Sequence, residues 1–330
     1  MLQDLAKSAA DRGIRYFLIS FVDLFGVLRA KLAPASAIGQ MQRDGAAFAG
    51  FATHLDLTPA DPDMFAIPDP ASLIQMPWKP EIGWLAADLH LAGEPLEHAP
   101  RQVLKSQIAA AAASGYRMRT GVEAEFFVLR TDGLAVADEA DRQAKPCYDQ
   151  AALLRRYELI RAISDAMLEL GWAPYQSDHE DANGQFEMNW AYDDALVTAD
   201  RHVFFKFMVK ELAGQHGLRA TFMPKPFMHL TGNGCHAHVS LWDRGGDINL
   251  FHDPRASSAF PRSPTISSAA SLHMPKRSQL YSHRRSTASN ASTRHRPCRA
   301  PPGHPMRSAM AATIAPIWCA SRSRADSNCG

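Results

Sequence analysis

The sequence has few cysteines and no long apolar run. Only five of its 330 residues are cysteine, and the two that precede residue 254, Cys147 and Cys235, are far apart in the chain. Neither a disulfide framework nor a paired-cysteine zinc site is therefore indicated, and this usage is typical of a reducing cytoplasm. No apolar stretch approaches the roughly 18 residues that a membrane span needs. The opening residues, Met1–Lys7, mix charged and apolar side chains, unlike a secretory signal, so we expect a cytoplasmic protein.

Two glycine motifs that bind phosphates are missing as well. The sequence contains neither Gly-x4-Gly-Lys-Ser/Thr nor Gly-x-Gly-x-x-Gly. A bound nucleotide would therefore be held through metal ions and scattered basic groups rather than by a glycine-rich phosphate loop.

The net charge of +1 conceals two unlike parts. From Arg255 onwards the chain carries 12 Lys and Arg and a single acid, whereas residues 1–254 carry 23 Lys and Arg and 33 acids. The basic segment is rich in Ser, Arg, Ala and Pro and has no helix or strand periodicity, which predicts a disordered tail. Its composition alone permits a nucleic-acid or membrane partner, but we expect neither.

The chain before this tail has room for two domains. Short strand-like segments with one short helix fill residues 1–97, which predicts a small mixed α+β domain. From Pro100 onwards helices and strands alternate, which predicts an α/β domain whose loops feed one site. This part includes a single predicted strand, Arg117–Leu129, and a single amphipathic helix, residues 149–170.

Acidic residues recur on the predicted strands of this second part. Glu123 and Glu125 are two residues apart on one strand and so point to the same face. Such a pair on its own is commonly a solvated strand face. Glu180 and Glu187 add acids at the end of one strand and on the next. Buried carboxylates are costly unless a cation or a proton compensates them.

Two histidines follow the same alternation. His236 and His238 share a face of the last predicted strand, although a lone strand histidine is usually structural. A carboxylate-rich set with one or two imidazoles suits Mg²⁺ or Mn²⁺. Zinc would require more sulfur and nitrogen, and Cys235-His-Ala-His238 lacks a second ligand pair.

Four segments, in this order, carry a family resemblance. They are Gly121-Val-Glu-Ala-Glu-Phe-Phe127, His179-Glu-Asp-Ala-Asn-Gly-Gln-Phe-Glu187, Thr221-Phe-Met-Pro-Lys-Pro226 and Gly232-Asn-Gly-Cys-His-Ala-His-Val-Ser240. Together they resemble the glutamine synthetase family, in particular its third class and the related γ-glutamylmethylamide synthetase. The resemblance covers residues 1 to about 254.

The resemblance implies an α+β protein in which a β-grasp N-terminal domain, residues 1–97, precedes an incomplete α/β catalytic domain, residues 98–254. Residues 255–330 would be the disordered tail. It further implies a homo-oligomeric ring with active sites between neighbouring subunits. ATP would phosphorylate the γ-carboxylate of L-glutamate, and ammonia or methylamine would then displace the phosphate.

The resemblance also assigns roles to individual residues. Glu125, Glu180 and Glu187 would hold one Mg²⁺ or Mn²⁺, and Glu123 and His236 would hold a second. Three further side chains would serve ATP and its phosphates, and one loop would serve glutamate. The side chains for ATP are those of Lys225, His238 and Ser240, and the loop for glutamate comprises Gly232, Asn233 and Gly234.

Two local positions depart from the family pattern. Ala49 in Phe48-Ala-Gly-Phe-Ala52 stands where the family often has an aspartate that helps to bind and deprotonate ammonium. Thr231 replaces the usual asparagine of the glutamate loop. The choice between ammonia and methylamine as acceptor therefore stays open, as does the choice between the two cations.

The segment from Arg255 onwards departs from the family completely. Suppose that the reading frame is shifted, so that each new codon takes the last base of one original codon and the first two bases of the next. Ala325–Gly330 can then be read as GRFELR and Thr313–Arg322 as NNRTHMVRIP. Pro301–Met306 likewise permits ATWSPN. These are C-terminal motifs of the family in their proper order. We interpret residues 255–330 as translated out of frame, with the slip near Arg255–Ser257.

The sequence thus predicts an ATP-dependent glutamate–amine ligase with little or no activity in this chain. The out-of-frame segment removes a glutamate shared by both metals and the arginines that stabilise the transferring phosphate. The alternative is an inactive fragment or pseudoenzyme that retains metal binding, nucleotide binding or oligomer contacts.

Overall fold

The computed structural model describes residues 4–251. The predicted tail, residues 255–330, and the reading-frame interpretation of it lie outside these residues. Within residues 4–251, no helix combines the length and the apolar character needed to cross a membrane.

Residues 16–95 build a seven-stranded sheet. Its strands are β1 (Tyr16–Val22), β2 (Leu28–Pro34), β3 (Ala46–Phe48), β4 (Met64–Pro68), β5 (Ile74–Gln75), β6 (Ile82–Leu91) and β7 (Glu94–Pro95). The main order is β2-β1-β6-β4-β3, and β5 and β7 also pair with β6. Strands β1 and β6 are parallel, whereas the other pairs are antiparallel. Helices α1 (Leu5–Arg12) and α2 (Ile38–Asp44) contribute to the core of this sheet.

The second part of the chain contains four helices and seven strands within the described residues. The helices are α3 (Pro100–Ala113), α4 (Gln150–Arg155), α5 (Tyr157–Glu169) and α6 (Ala195–Gln215). The strands are β8 (Arg117–Ala124), β9 (Phe126–Leu129), β10 (Pro174–His179), β11 (Gln185–Trp190), β12 (Asp193–Asp194), β13 (Arg219–Thr221) and β14 (Cys235–Trp242). They form two antiparallel sheets, ordered β10-β11-β9-β13 and β12-β8-β14.

Strand β6 is buried on both faces because it lies between two hydrophobic cores. Leu85, Ala87 and Leu89 belong to the core of the seven-stranded sheet. Trp84 and Ala86 belong instead to the core that β9 and β11 share with α5 and α6. Since successive strand residues point to opposite faces, this one strand joins the two parts of the molecule.

The prediction of a single strand over Arg117–Leu129 was wrong. The chain leaves the β12-β8-β14 sheet at Glu125 and enters the other sheet at Phe126. At the break, the Glu125 N–H donates to the carbonyl of Gly234 at 3.2 Å, and the Glu125 carboxylate accepts from the Gly234 N–H at 2.8 Å. The loop before β14 thus takes over the hydrogen bonds at this point, and the chain passes between the sheets.

The predicted helix over residues 149–170 was also too simple. It breaks at Arg156, whose φ of −108° and ψ of 13° lie outside the helical range, and α5 begins at the next residue. The apolar periodicity continues across the break, so it carries no signal of the interruption.

Arg101 on α3 connects three other elements. Its guanidinium lies 2.5 Å from Asp88 on β6, 2.7 Å from Asp69 just after β4, and 3.0 Å from Asp200 on α6. Lys105 adds a second cation, 2.6 Å from Asp88. The Arg101 side chain is only 14% exposed, so three carboxylates from separate elements share one shielded cation, and within residues 4–251 only Asp88 has a second.

Replacing Arg101 with methionine should lower the free energy of unfolding by about 3–5 kcal/mol, because the three carboxylates would lose their shared counter-ion. Urea unfolding measures this change. Arg130→Met is the matched control: Arg130 pairs with Asp132, and the two side chains are 46% and 47% exposed. The control should cost about 1 kcal/mol or less. Equal losses in the two variants would contradict the role of Arg101.

Candidate functional site

In the second part of the chain, two pairs of titratable side chains lie directly opposite each other on neighbouring strands. His236 on β14 is the register partner of Glu123 on β8, and its Nδ1 lies 3.5 Å from the Glu123 Oε2. Asp178 on β10 is the register partner of Glu187 on β11. The first pair is attractive when the histidine is protonated, whereas like charges directly opposite each other are destabilising.

These pairs belong to two clusters that share one carboxylate. One cluster comprises Glu123, Glu187 and His236, and the other comprises Asp178, Glu180 and Glu187. Within each cluster, one donor atom per residue lies within 4.8 Å of the others. The donors are carboxylate oxygens with a single imidazole nitrogen, which is the chemistry that Mg²⁺ and Mn²⁺ prefer. These residues therefore fit a hard divalent cation.

Burial and mutual repulsion raise the pKa values of several of these acids. Burial, with a contribution from Glu187, raises the pKa of Glu180 to about 7. Burial also raises the pKa of Glu187 to about 7, and the charges of Glu123 and Glu125 act in the same direction. Burial and the Glu123 charge raise the pKa of Asp178. The cluster thus has more negative charge than its own surroundings compensate.

Glu123 differs from the other acids because it faces two imidazoles. The His238 Nε2 lies 3.1 Å from the same Oε2 that His236 approaches, although without hydrogen-bond alignment. Hydrogen bonding to His236 lowers the pKa of Glu123, and the same contact raises the pKa of His236. The prediction that His236 and His238 share a strand face is therefore confirmed.

Glu125 lies beside the glycine loop that precedes β14. Its Oε2 accepts from the Gly234 N–H at 2.8 Å and from the Gln185 Nε2 at 2.7 Å. A Cβ at position 234 would lie 2.5 Å from the Glu125 Oε1, so a side chain cannot replace glycine there without displacing the carboxylate. Burial raises the pKa of Glu125. Gln185 and the loop thus both donate to the Oε2 of Glu125, and neither of these two hydrogen bonds involves its Oε1.

The predicted nucleotide-binding side chains lie on two segments. His238 and Ser240 are on β14, where the Ser240 Oγ accepts from the Trp242 indole at 2.9 Å. Lys225 is on the segment after β13, and its Nζ donates to the Leu230 carbonyl. A Cβ at Gly232 would lie 3.5 Å from the Lys225 Cδ, so Lys225 packs against the glycine loop.

A buried hydrogen-bond cluster holds the turn between β10 and β11. Asp141 lies 2.6 Å from the His179 Nε2 and also accepts from the Asn183 Nδ2 at 2.8 Å and the Gly184 N–H at 2.6 Å. The His179 Nδ1 lies 2.7 Å from the Pro146 carbonyl. Both ring nitrogens of His179 therefore have partners. His179, next to Glu180 in the chain, holds the turn and does not belong to the acidic clusters.

Sequence reasoning missed three residues of this arrangement, namely Asp141, Asp178 and Gln185. Asp178 had a usable signal, because it is two residues before Glu180, the same spacing as between Glu123 and Glu125. Asp141 and Gln185 gave no comparable signal. Their partners are 38 and 60 residues away in the chain, and only the fold brings them together.

Without a divalent cation, Glu187 should lower the free energy of unfolding by about 1–3 kcal/mol relative to Glu187→Gln as the pH rises from about 5 to 8. Burial lowers the pKa of His202 to about 4, which gives the opposite trend but in both proteins alike. The folded-state pKa of Glu187, about 7, lies above its ordinary value of 4.5, so the folded protein holds this proton more tightly than the unfolded chain. The resulting stabilisation is complete below the ordinary value and is lost as the pH rises through the folded value. Mg²⁺ or Mn²⁺ at pH 8 should restore stability.

Glu187→Gln tests this origin: it should remove the contribution of Glu187 to the pH dependence and abolish the cation effect in urea unfolding. Glu158→Gln, whose parent side chain is 68% exposed on α5, is the matched control and should change neither. A cation response that persists in Glu187→Gln would rule out this cluster as its source.

Asp141→Ala should lower the free energy of unfolding by about 3–5 kcal/mol, because it leaves the buried His179 and the Gly184 N–H without their acceptor. Asp165→Ala is the control: Asp165 is 57% exposed in an ion pair with Arg161, and its removal should cost about 1 kcal/mol or less. Chemical denaturation checks both values, and near-wild-type stability of Asp141→Ala would refute the structural role.

Comparison with known proteins places this site in a family. Residues 97–270 match the family model described as the catalytic domain of glutamine synthetase. A glutamine synthetase from Rhizobium leguminosarum bv. phaseoli is 63% identical over 253 residues, which cover 77% of this chain and 58% of that protein. A glutamate–methylamine ligase from Methyloversatilis universalis is 42% identical over 244 residues, which cover 73% of this chain and 55% of that protein. The chain therefore spans somewhat more than half the length of these relatives.

Solved structures give the same result. A complex of GmaS with ADP has a TM-score of 0.77 and 62% sequence identity, over 79% of this chain and 60% of that chain. GmaS without ligand has a TM-score of 0.76 and 62% identity, over 78% of this chain and 61% of that chain. The family model matches more than half of the 330 residues. This mixed α/β chain belongs to the glutamine synthetase family.

Proposed function

We propose that this protein is built as an ATP-dependent ligase that joins ammonia or a small amine to the γ-carboxylate of L-glutamate. The reaction would proceed through a γ-glutamyl phosphate. The observation that carries the proposal is the pair of acidic clusters that share Glu187. One of them includes His236, whose Cε1 would lie 3.5 Å from a Cβ at Gly234 in the Gly232–Gly234 loop. Bound divalent cations would supply the positive charge that phosphoryl transfer requires.

We assign the binding roles to the residues as follows. Glu125, Glu180 and Glu187 would hold one cation, and Glu123 and His236 the second. The position of Asp178 opposite Glu187 supports its inclusion in the first set. His238, Ser240 and Lys225 would bind ATP and its phosphates. The loop of Gly232, Asn233 and Gly234 would bind glutamate next to the acids, in a position to receive the phosphoryl group.

Both acceptor amines are represented among the relatives. Some of these proteins are named glutamine synthetase and another glutamate–methylamine ligase. Ala49 lacks the carboxylate that would help to bind and deprotonate ammonium, which leaves the acceptor open between ammonia and methylamine. Turnover with each amine at equal concentration of the free base, measured on a protein whose reading frame is restored near codons 254–257, separates the two.

The remaining features of the intact enzyme are inferred in the same way. The seven-stranded sheet would correspond to the β-grasp domain, residues 1–97, and the protein would form a homo-oligomeric ring in the cytoplasm. The catalytic domain would be incomplete after residue 254, with residues 255–330 read out of frame. The acidic clusters support retention of metal binding even where the missing motifs prevent catalysis.

The chain with this sequence should release very little phosphate from ATP in the presence of L-glutamate and amine. Each missing phosphate-stabilising group would cost a factor of about 10²–10³ in turnover. A variant gene in which the reading frame is restored near codons 254–257 should recover the reaction. The measurement is glutamate- and amine-dependent phosphate release by the two purified proteins.

Glu187→Gln in the restored-frame protein is the control and should abolish that activity. Normal turnover by the chain as it stands would contradict the loss of the C-terminal motifs. An inactive restored-frame protein would favour the alternative, an inactive fragment or pseudoenzyme.

A further inference from the structure

Gln185 is a buried residue at the junction between the acids and the glycine loop. It is the first residue of β11, and it is 0% exposed. Its Nε2 lies 2.7 Å from the Glu125 Oε2, 2.9 Å from the Asn233 Oδ1 and 3.1 Å from the Gly232 carbonyl oxygen. One amide nitrogen therefore joins an acid of the proposed cation site to two residues of the proposed glutamate loop.

Asn233, the loop residue beside Gln185, makes further hydrogen bonds. The Asn233 Nδ2 donates to the Met223 carbonyl at 2.9 Å and to the Thr221 carbonyl at 3.2 Å. The Gly234 N–H donates to the same Glu125 oxygen that Gln185 approaches. A continuous set of hydrogen bonds thus runs from Glu125 through Gln185 and the loop to the end of β13.

Local stability does not explain this arrangement. A primary amide has two protons on nitrogen, but three oxygen acceptors surround the Gln185 Nε2. Its Oε1 is buried and has no hydrogen-bond partner among the described residues. An orphaned buried acceptor is costly, so an apolar side chain of the same size would serve packing alone better. The side chain is instead suited to hold the carboxylate and the loop at a fixed separation.

We propose that Gln185 is a positioning residue that couples Glu125 to the 232–234 loop, so that a divalent cation and L-glutamate bind cooperatively. The ligand identities in this statement rest on the proposed function. A cation that fixes the Glu125 carboxylate would fix the loop through Gln185, and glutamate on the loop would fix the carboxylate. Thermodynamic linkage requires the two effects to be equal.

The physical link can be tested without any ligand. In Gln185→Met, an apolar side chain of similar length, amide hydrogen exchange over residues 232–235 should become about tenfold faster, since the bonds that hold the loop are lost. Met188→Ala is the control, because Met188 is a core residue of the same strand without a bond to the loop. It should not accelerate the loop selectively. Unchanged exchange in Gln185→Met would overturn the proposal.

The cooperative effect is measured by Mn²⁺ binding to the full chain with and without saturating L-glutamate. Glutamate should lower the Kd for Mn²⁺ by a factor of about 5–150 in the unmodified chain and in Met188→Ala. The factor should be several-fold smaller in Gln185→Met, where only the direct hydrogen bond from the Gly234 N–H still joins the loop to the Glu125 carboxylate. Retention of the full factor in Gln185→Met would overturn the proposal even if both ligands bind.

Two further outcomes remain decisive. If the unmodified chain binds neither Mn²⁺ nor L-glutamate, the cooperative part of the inference is wrong for this chain. The proposed function is then decided separately by the restored-frame protein, and the exchange experiment still decides whether Gln185 holds the loop. If Gln185→Met does not fold, Gln185→Asn keeps an amide in β11 but shortens the side chain, which withdraws its nitrogen from the loop and leaves the bonds of Asn233 to the Met223 and Thr221 carbonyls intact. It should accelerate exchange over the same residues, and unchanged exchange there would overturn the link.

Discussion

Mutual repulsion among carboxylates is the constraint on which this structure depends. Asp178 and Glu187 lie directly opposite each other, and Glu187 also approaches Glu123 and Glu180. In solution such acids would move apart, because charge removed from water and placed beside like charge is costly. Here the backbones of β8, β10 and β11 fix their separation, so the cost is met by protons or by a cation. The raised pKa values of Glu180 and Glu187 express this constraint.

The opposite faces of the same strands supply the stabilisation that makes this possible. Along β11, Gln185 and Glu187 alternate with Phe186 and Met188, which lie in the core that β9, α5 and α6 share. The Phe186 ring also packs against Phe126 on β9, with centroids 6.3 Å apart. Apolar burial on one face of β11 thus stabilises the close approach of the acids on the opposite face. The polar clusters around Asp141 and Arg101 fix the surrounding turns and helices.

This arrangement gives the site a different organisation from two independent ligand sets. Glu187 belongs to both acidic clusters, whereas Glu125 is tied to the glycine loop through Gln185 and Gly234. Occupancy at one cluster therefore changes the charge that the other experiences. The 232–234 loop is thus joined to Glu125 by hydrogen bonds from both Gln185 and Gly234.

The amino-acid sequence by itself determined the chemistry of the site. Carboxylates at alternate strand positions, with His236 and His238 on a later strand, identify both the ligand types and the family, because strand periodicity and short motifs are local properties. The tertiary structure alone decided that β8 ends at Ala124, that Asp178 faces Glu187, and that Asp141 and Gln185 support the turn and the loop. These contacts join residues that are distant in the chain, and their geometry depends on strand register and on the crossing between two sheets. No local pattern encodes either property.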